Sequence, residues 1–564
     1  MMRWLALILG VASWLLGCEA PDAAGPREAG PTTLVLIHTA DLHSHLFPER
    51  QLISGLDAAR GLGPSGELSE VGGFARIARV VREIRAGARH SLLLDSGDLV
   101  EGTAAFTEFG GEPELRAFSA LGLGAAALGN HDLSSGAEAF AEQHRQFAEF
   151  PVLASNIADN GSELASALTK SVVLDAQGVR VGVIGVANPN SPSGLARDDN
   201  PYGIYLLPLA RAVQDEIDRL RPEVDVLVAL SHLGLDGDQR LISGTTGLDV
   251  VLGGHQHLTL DDALERSDCG AALQSERDCL PRRVILVHSG ALGRYVGELD
   301  LKLVPASEAD ATERARATLY PLAIASAEHS LIAVSADVAD DPAMAELLRP
   351  YRERLDDAGF DTPVAFALGP IERYAANGAD SALGDLVTDV LRAKTGADFA
   401  LINATGIRAD LPPGELTRAA FAAALPFDDE LTELTLSGAQ LRALFDQQAR
   451  VASERECQTP IQVSGLEVTF ECSGAASTAT ARIASSGRDL RSNDTCTVVT
   501  SAYLAEGASG FELLKEASGR RDLAFDPLQV VLDSVSAWPS CPQSPLPCLD
   551  PSRIRDHRIV IQRP

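Results

Sequence analysis

The chain has 564 residues and a formal net charge of −31, with an ordinary hydrophobic content of 45% and few aromatics at 5%. That length exceeds what one hydrophobic core usually serves, so two domains are expected. The acidic balance excludes a nucleic-acid groove and a generally basic membrane-binding surface, though not a phosphate substrate, because bound cations can invert the local field.

The first residues, "MMRWLALILGVASWLLGC", carry one early Arg and an apolar run too short to span a bilayer comfortably. They read as a signal peptide, residues 1–18, rather than a membrane helix. The Leu-Leu-Gly-Cys ending resembles a bacterial lipobox and marks Cys18 for lipidation. The expected product is exported and lipid-anchored to a bacterial membrane, facing the periplasm or the cell surface. A plainly secreted protein with an incidental Cys18 is the alternative. Residues 19–32 form a Pro/Ala/Gly tether with nothing to bury. No other segment is long and apolar enough to cross a membrane.

Export places the remaining seven cysteines in an oxidising compartment. Cys269 with Cys279, and Cys541 with Cys548, flank short polar or Pro-rich loops and suit local bridges. Cys457, Cys472 and Cys496 are an odd set whose pairing stays open. None has zinc-site spacing.

From Thr33 onward, short apolar runs each close on polar residues: "TLVLIHTADLHSH", "SLLLDSGDLVEG", "AAALGNHDL", "VRVGVIGVANP", "VDVLVALSHLG", "LDVVLGGHQH" and "RRVILVHSGALGRYVGELDLKL". Amphipathic stretches such as "GGFARIARVVREIRAG" and "PLARAVQDEIDRLRPE" lie between them. Buried strands alternating with helices predict a layered α/β domain over 33–305, with its working residues at the strand ends. Residues 306–361 turn helical and charged and read as a linker with a helix. A second α/β unit is expected over 362–564.

The strand ends concentrate metal-binding side chains. Asp41 and His43 come first, then Asp98, Asn130 with His131, His232, and finally His255 with His257. Singly, each has a plain explanation: Asp98 could cap a helix and His232 could be a loop histidine. His255 and His257 stand two apart, so an extended backbone would aim both imidazoles at one spot. Five strand ends in succession giving Asp, His or Asn point to a metal centre.

The blocks "DLH", "GD", "GNHD", "SH" and "GHQH", in this order, resemble those of the calcineurin-like metallophosphoesterases. The resemblance implies a β-sandwich flanked by helices that holds two divalent metal ions. Such a pair, about 3.5–4 Å apart, activates water and clamps an in-line displacement. It makes Asp98 the shared ligand, with Asp41, His43 and His257 on one ion and Asn130, His232 and His255 on the other. This donor set suits zinc, manganese or iron better than calcium. His131 is left to face the substrate, as charge stabiliser or proton donor. Nucleotidase members of the family carry Asp three residues after that histidine; here it is Ser134.

"GGFAR", and later "SALGDLVTD", "INATGIRADLPPGELT", "ALPFDDEL", "LSGAQLRALF" and "GASGFELL", resemble the bacterial 5′-nucleotidases of this family, which include UDP-sugar hydrolases. That implies a C-terminal substrate-binding domain. Asn403 and Arg408 match its "N-x-x-G-I-R" motif. Phe427 and Phe511 match two aromatics that sandwich a base, although core packing is the other reading of both. An arginine that many members place before "S-x-LGDL" is missing, with Arg373 a few residues earlier. An acidic ribose ligand of some members would fall near Ala517, with Glu516 one place off.

The expected function is therefore metal-dependent hydrolysis of nucleotide phosphate esters outside the cytoplasm, with a nucleotide as partner. A 2′,3′-cyclic-nucleotide phosphodiesterase/3′-nucleotidase shares both domains, and a thiosulfohydrolase shares the plan. A surface protein that binds nucleotides without turnover is the non-enzymatic alternative.

Overall fold

The computed structural model describes residues 31–158, 161–188, 205–305, 308, 322–427, 429–554 and 557–563. The signal peptide, Cys18 and all but the last two residues of the tether lie outside the described residues.

Two sheets form the first half. In one, Leu322–Ala333, Tyr295–Pro305, Thr32–Thr39, His90–Asp95, Ala125–Ala127, Val152–Leu153 and Leu168–Thr169 follow one another across seven strands. The other has six: Leu264–Ser267, Arg283–His288, Val250–Gly253, Val226–Ser231, Val179–Val186 and Ser171–Ala176. The strands that deliver the metal-binding blocks run parallel to their neighbours, as Thr32–Thr39 does to His90–Asp95 and Val226–Ser231 to Val250–Gly253. Their carboxyl ends therefore gather at one rim of each sheet.

Strand periodicity explains the layers. Leu34 and Leu36 share a buried cluster with Val226, Val228, Leu230, Val250 and Leu252, which joins the two sheets face to face. The intervening Val35 and Ile37 point the other way, into Phe74, Ile77 and Val81 of the helix Phe74–Gly87. On the second sheet, Leu227, Ala229 and Val251 pack under Val213, Ile217 and Leu220 of the helix Leu209–Leu220. The result is a sandwich of two sheets between two helical layers. Both helices coincide with the amphipathic stretches read from sequence.

The charged stretch after residue 340 is the helix Pro342–Asp357, begun by Asp341, whose carboxylate accepts from Met344 N at 2.9 Å. Its Met344, Leu348 and Leu355 join the helical layer of the first half. Beyond it, a five-stranded sheet runs in the order Ile461–Ser464, Phe399–Asn403, Thr495–Ser501, Leu431–Ser437 and Gly519–Leu523. Alternation again splits its faces: Ala400 and Ile402 pack with the helix Ala382–Thr395, and Phe399 and Leu401 with the helix Gly438–Glu454. The short helix Arg418–Ala424 carries Ala422 into the helical layer of the first half, so the two halves are in contact.

Disulfides join Cys269 to Cys279 and Cys541 to Cys548, the two local pairs. Of the three left open, Cys457 pairs with Cys472, and Cys496 is a buried free thiol. No helix among the described residues is long and apolar enough to cross a membrane.

Candidate metal centre

All seven proposed ligands meet at the rim shared by the two sheets, six of them in two groups that could each hold an ion. Asp41, His43 and His257 form one; Asp98, His232 and His255 form the other. His43 Nε2 faces His257 Nε2 at 3.1 Å, and His257 Nε2 lies 3.7 Å from Asp41 Oδ1. In the second group, Asp98 Oδ2 is 2.9 Å from His232 Nε2. The same oxygen is 3.6 Å from His43 Nε2, so Asp98 reaches both groups. Asn130 Oδ1 sits 3.0 Å from His255 Nδ1, beside the second group.

The two histidines of "GHQH" thus go to different groups, but not by the route the sequence suggested. The strand ends at Gly253. His255 and His257 then adopt left-handed backbone, with φ of 78° and 56°, so extended alternation does not govern where their rings point.

The surroundings fit cation binding. His43 Nδ1 donates to Glu101 O at 2.8 Å and His232 Nδ1 to Ser96 O at 2.8 Å. Each carbonyl fixes the ring so that Nε2 faces the centre, as ligating imidazoles require. Burial lowers the proton affinity of His43, His255 and His257, which keeps them in the neutral, ligating form. His232 differs. Burial disfavours its charge, but Asp98 and Asp41 outweigh that and hold it up to about 10 in the metal-free protein. Asp98 stays ionised despite burial, because His232, His131 and His43 surround it. Asp41 is raised by burial, with the charge of Asp98 adding to the effect.

Backbone ties hold the loops in place. Both carboxylate oxygens of Asp41 accept from His255 N, at 2.9 and 3.0 Å. Asp98 Oδ1 accepts from His131 N at 2.7 Å, leaving Oδ2 for the centre. Asp132 turns away from its neighbour His131 and accepts from Gly129 N at 2.8 Å, Leu99 N at 2.8 Å and Asp98 N at 3.1 Å. It thereby staples the Asp98 loop to the Asn130 loop. Gly129 is where they come closest: a Cβ there would lie 2.2 Å from both Asp98 N and Oδ1.

His131 stands at the edge of the centre, its ring 5.0 Å from that of His43. Its Nδ1 donates to Glu101 Oε2, and Ser134 Oγ donates to the same oxygen. Sequence reading missed Glu101. A single carboxylate in a loop has no periodic signature, and its partner lies thirty residues further along.

The C-terminal half reaches the same place. Arg408 Nη2 lies 3.3 Å from His43 Nε2. Arg373, which sequence could not place, donates through Nη1 to the Arg408 carbonyl. The Phe427 ring stacks beside His131, with centroids 6.0 Å apart and planes 25° apart. Asn403 ends its strand and donates to Thr405 Oγ1 at 2.9 Å. Phe511 is a different case. Its ring is 1% exposed, inside a core cluster with Leu504 and Leu514, so here it packs the domain and offers no open face to a base.

A two-sheet sandwich with paired Asp/His/Asn ligand groups at one rim defines a calcineurin-like phosphoesterase, and the family model of that name matches residues 34–258. The model of the 5′-nucleotidase C-terminal domain matches residues 363–516. The chain therefore carries a calcineurin-like phosphoesterase domain followed by a 5′-nucleotidase C-terminal domain, and it is an enzyme of the metallophosphoesterase class. A 5′-nucleotidase of Diplobatis ommata is 26% identical, with 89% of this chain and 87% of that one covered. The crystal structure of a 5′-nucleotidase precursor from Thermus thermophilus is 26% identical, with a TM-score of 0.78, covering 94% of this chain and 99% of the other. The fold is also that of a sulfate thiohydrolase, SoxB, of Thermus thermophilus, at 17% identity and a TM-score of 0.71, covering 94% of this chain and 96% of that one.

Proposed function

We propose that this chain hydrolyses nucleoside 5′-phosphates and related nucleotides outside the cytoplasm, held to a bacterial membrane by a lipid on Cys18. The observation that carries the reading is convergence: Arg408 and Phe427 of the C-terminal half meet the two ligand groups at His43 and His131. One half supplies the chemistry and the other the grip on a nucleoside. We assign the first role to residues 33–305 together with the strand Leu322–Ala333 and the helix Pro342–Asp357. Both pack into that half, where the sequence suggested a linker over 306–361. The second role falls to residues 362–564.

In this reading Asp98 would serve both sites, Asp41, His43 and His257 would hold one divalent cation, and Asn130, His232 and His255 the other. Two divalent cations, zinc, manganese or iron, supply Lewis-acid charge and an activated water when bound. His131 Nε2 stabilises the charge that develops on the phosphoryl group or protonates the departing ribose oxygen. Arg408, planar and fixed in charge, orients the phosphate or a ribose oxygen, with Asn403 beside it. Phe427 offers a face to the base. Phe511 joins it only if its ring leaves the core.

The test is phosphate release from AMP, ATP, UDP-glucose and 2′,3′-cyclic AMP by the mature protein, with manganese or zinc and with chelator. Metal-dependent release from the 5′-nucleotides is expected. Turnover of the cyclic nucleotide alone would replace this reading with the cyclic phosphodiesterase. Silence on all four, with metal bound, would favour thiosulfate or binding without turnover. The variant His131→Ala should bind nucleotide and lose turnover.

A further inference from the structure

We propose that Glu101 is the positioning residue for His131, supplying from a different loop the carboxylate that Ser134 does not. This rests on the reading of His131 as the group that faces substrate.

Three observations support it. Glu101 Oε2 takes hydrogen bonds from both His131 Nδ1 and Ser134 Oγ, with the Glu101 and His131 side chains only 11% and 16% exposed. A buried carboxylate on Nδ1–H fixes the tautomer, orients the ring and stabilises imidazolium character at Nε2, the nitrogen left for the reacting group. Ser134, where a carboxylate was expected, here holds the carboxylate in place.

The backbone at Glu101 is built for this placement. Its φ is 67°, a left-handed conformation that a glutamate enters only when its surroundings enforce it. The carbonyl of this residue accepts from His43 Nδ1 at 2.8 Å while its side chain turns to His131. The next residue, Gly102, passes so close that a Cβ would lie 2.7 Å from His43 O. One turn of chain therefore orients a proposed metal ligand through its backbone and the substrate-facing histidine through its side chain. A glutamine at 101 keeps the first and replaces the carboxylate of the second with a neutral amide.

The experiment compares wild type, Glu101→Gln, Ser134→Asp, the double variant Glu101→Gln/Ser134→Asp, and His131→Ala. Readouts are kcat and KM on p-nitrophenyl phosphate, metal content and melting temperature. This ester needs no grip on a nucleoside, so the test stands even if the nucleotide assignment fails. Glu101→Gln should lower kcat by about 10- to 10,000-fold, the span between losing an outer-shell partner and losing a triad carboxylate behind a working histidine. KM should move less than about threefold, with metal content and melting temperature unchanged. The double variant, with a carboxylate returned from position 134, should recover at least a tenth of wild-type kcat. A merely structural role would not give relocation rescue. Glu101→Gln within threefold of wild type while His131→Ala is inactive would overturn the proposal alone. Loss of metal in Glu101→Gln, or no rescue in the double variant, would also overturn it. Full turnover by His131→Ala would remove both His131 and Glu101 from the mechanism.

Discussion

The closest approach in the centre sets up a sharp steric test, Gly129→Ala. The added Cβ would sit 2.2 Å from Asp98 N and Oδ1, where real Cβ contacts stay beyond 3.0 Å, so the two loops must part by about 0.8 Å. The obstacle on one side is backbone, and neither loop is free to yield. Asp132 ties them through three N–H groups, and His131 N ties back to Asp98 Oδ1. Forcing a methyl into such a contact costs about 1–3 kcal/mol. By the scaling for domains of roughly 150–250 residues that lowers the melting temperature by about 2–12 °C, and this somewhat larger domain falls toward the lower end. The catalytic effect should be larger. A displacement near 1 Å of groups that fix the reacting geometry costs on the order of a hundredfold, and here the displaced pair is Asp98 and Asn130. The assay is kcat on p-nitrophenyl phosphate at saturating manganese, with metal affinity measured alongside. Gly87→Ala is the control: that glycine ends a helix with nothing within 4 Å of its missing Cβ, and alanine there should be neutral or slightly stabilising. If Gly129→Ala retains more than a third of wild-type kcat and binds metal normally, the loops are not held as argued.

Burial pushes the Glu114 carboxyl up to about 7, above its usual 4.5. The unfolded chain then loses this proton first, so the group makes stability fall as pH rises from about 4.5 to 7, by roughly 3 kcal/mol at most. The melting temperature of Glu114→Gln relative to wild type should climb across that window, and a pH-independent difference would refute the assignment. His232 is protonated in the metal-free protein up to about 10, whereas a metal ligand must be neutral. Metal uptake near pH 7.5 should therefore release at least one proton, seen by calorimetry in buffers of different ionisation enthalpy, and affinity should rise with pH; uptake without proton release would contradict the electrostatics. A chain beginning at Glu19 should show one thiol by thiol reagent, Cys496, and only after unfolding. Reaction of native protein would place that thiol elsewhere than in the core.

Much of the centre was legible because the chemistry is concentrated. With only 12 histidines in the chain, those at the ends of apolar runs stand out, and parallel strands bring such ends together. The unbroken apolar run Leu34–Ile37 likewise announced a strand buried on both faces. What stayed hidden depended on backbone direction. Nothing in "GHQH" says that the strand stops at Gly253 and the chain turns left-handed. Motif matching could not tell that Phe427 stands beside His131 while Phe511 is sealed in a core. Glu101 and Arg373 work through contacts with residues thirty or more positions away, which leave no periodic trace.

Left-handed backbone is spread unevenly through this molecule. Of fourteen non-glycine residues with positive φ among those described, seven belong to the centre: Asp41, His43, Ser44, Asp98, Glu101, His255 and His257. Each carries roughly 1–2 kcal/mol of unfavourable local preference, and each is held by partners distant in the chain, as when Asp41 N bonds to Gly97 O, His43 N to Asp98 O and His255 N to Asp41. Strained backbone held by polar ties, above strands sealed in the sandwich core, makes the catalytic rim the region expected to open first. Amide exchange at His43 and His255 should accordingly outpace that at Leu36 and Val251, and bound metal should slow it there first.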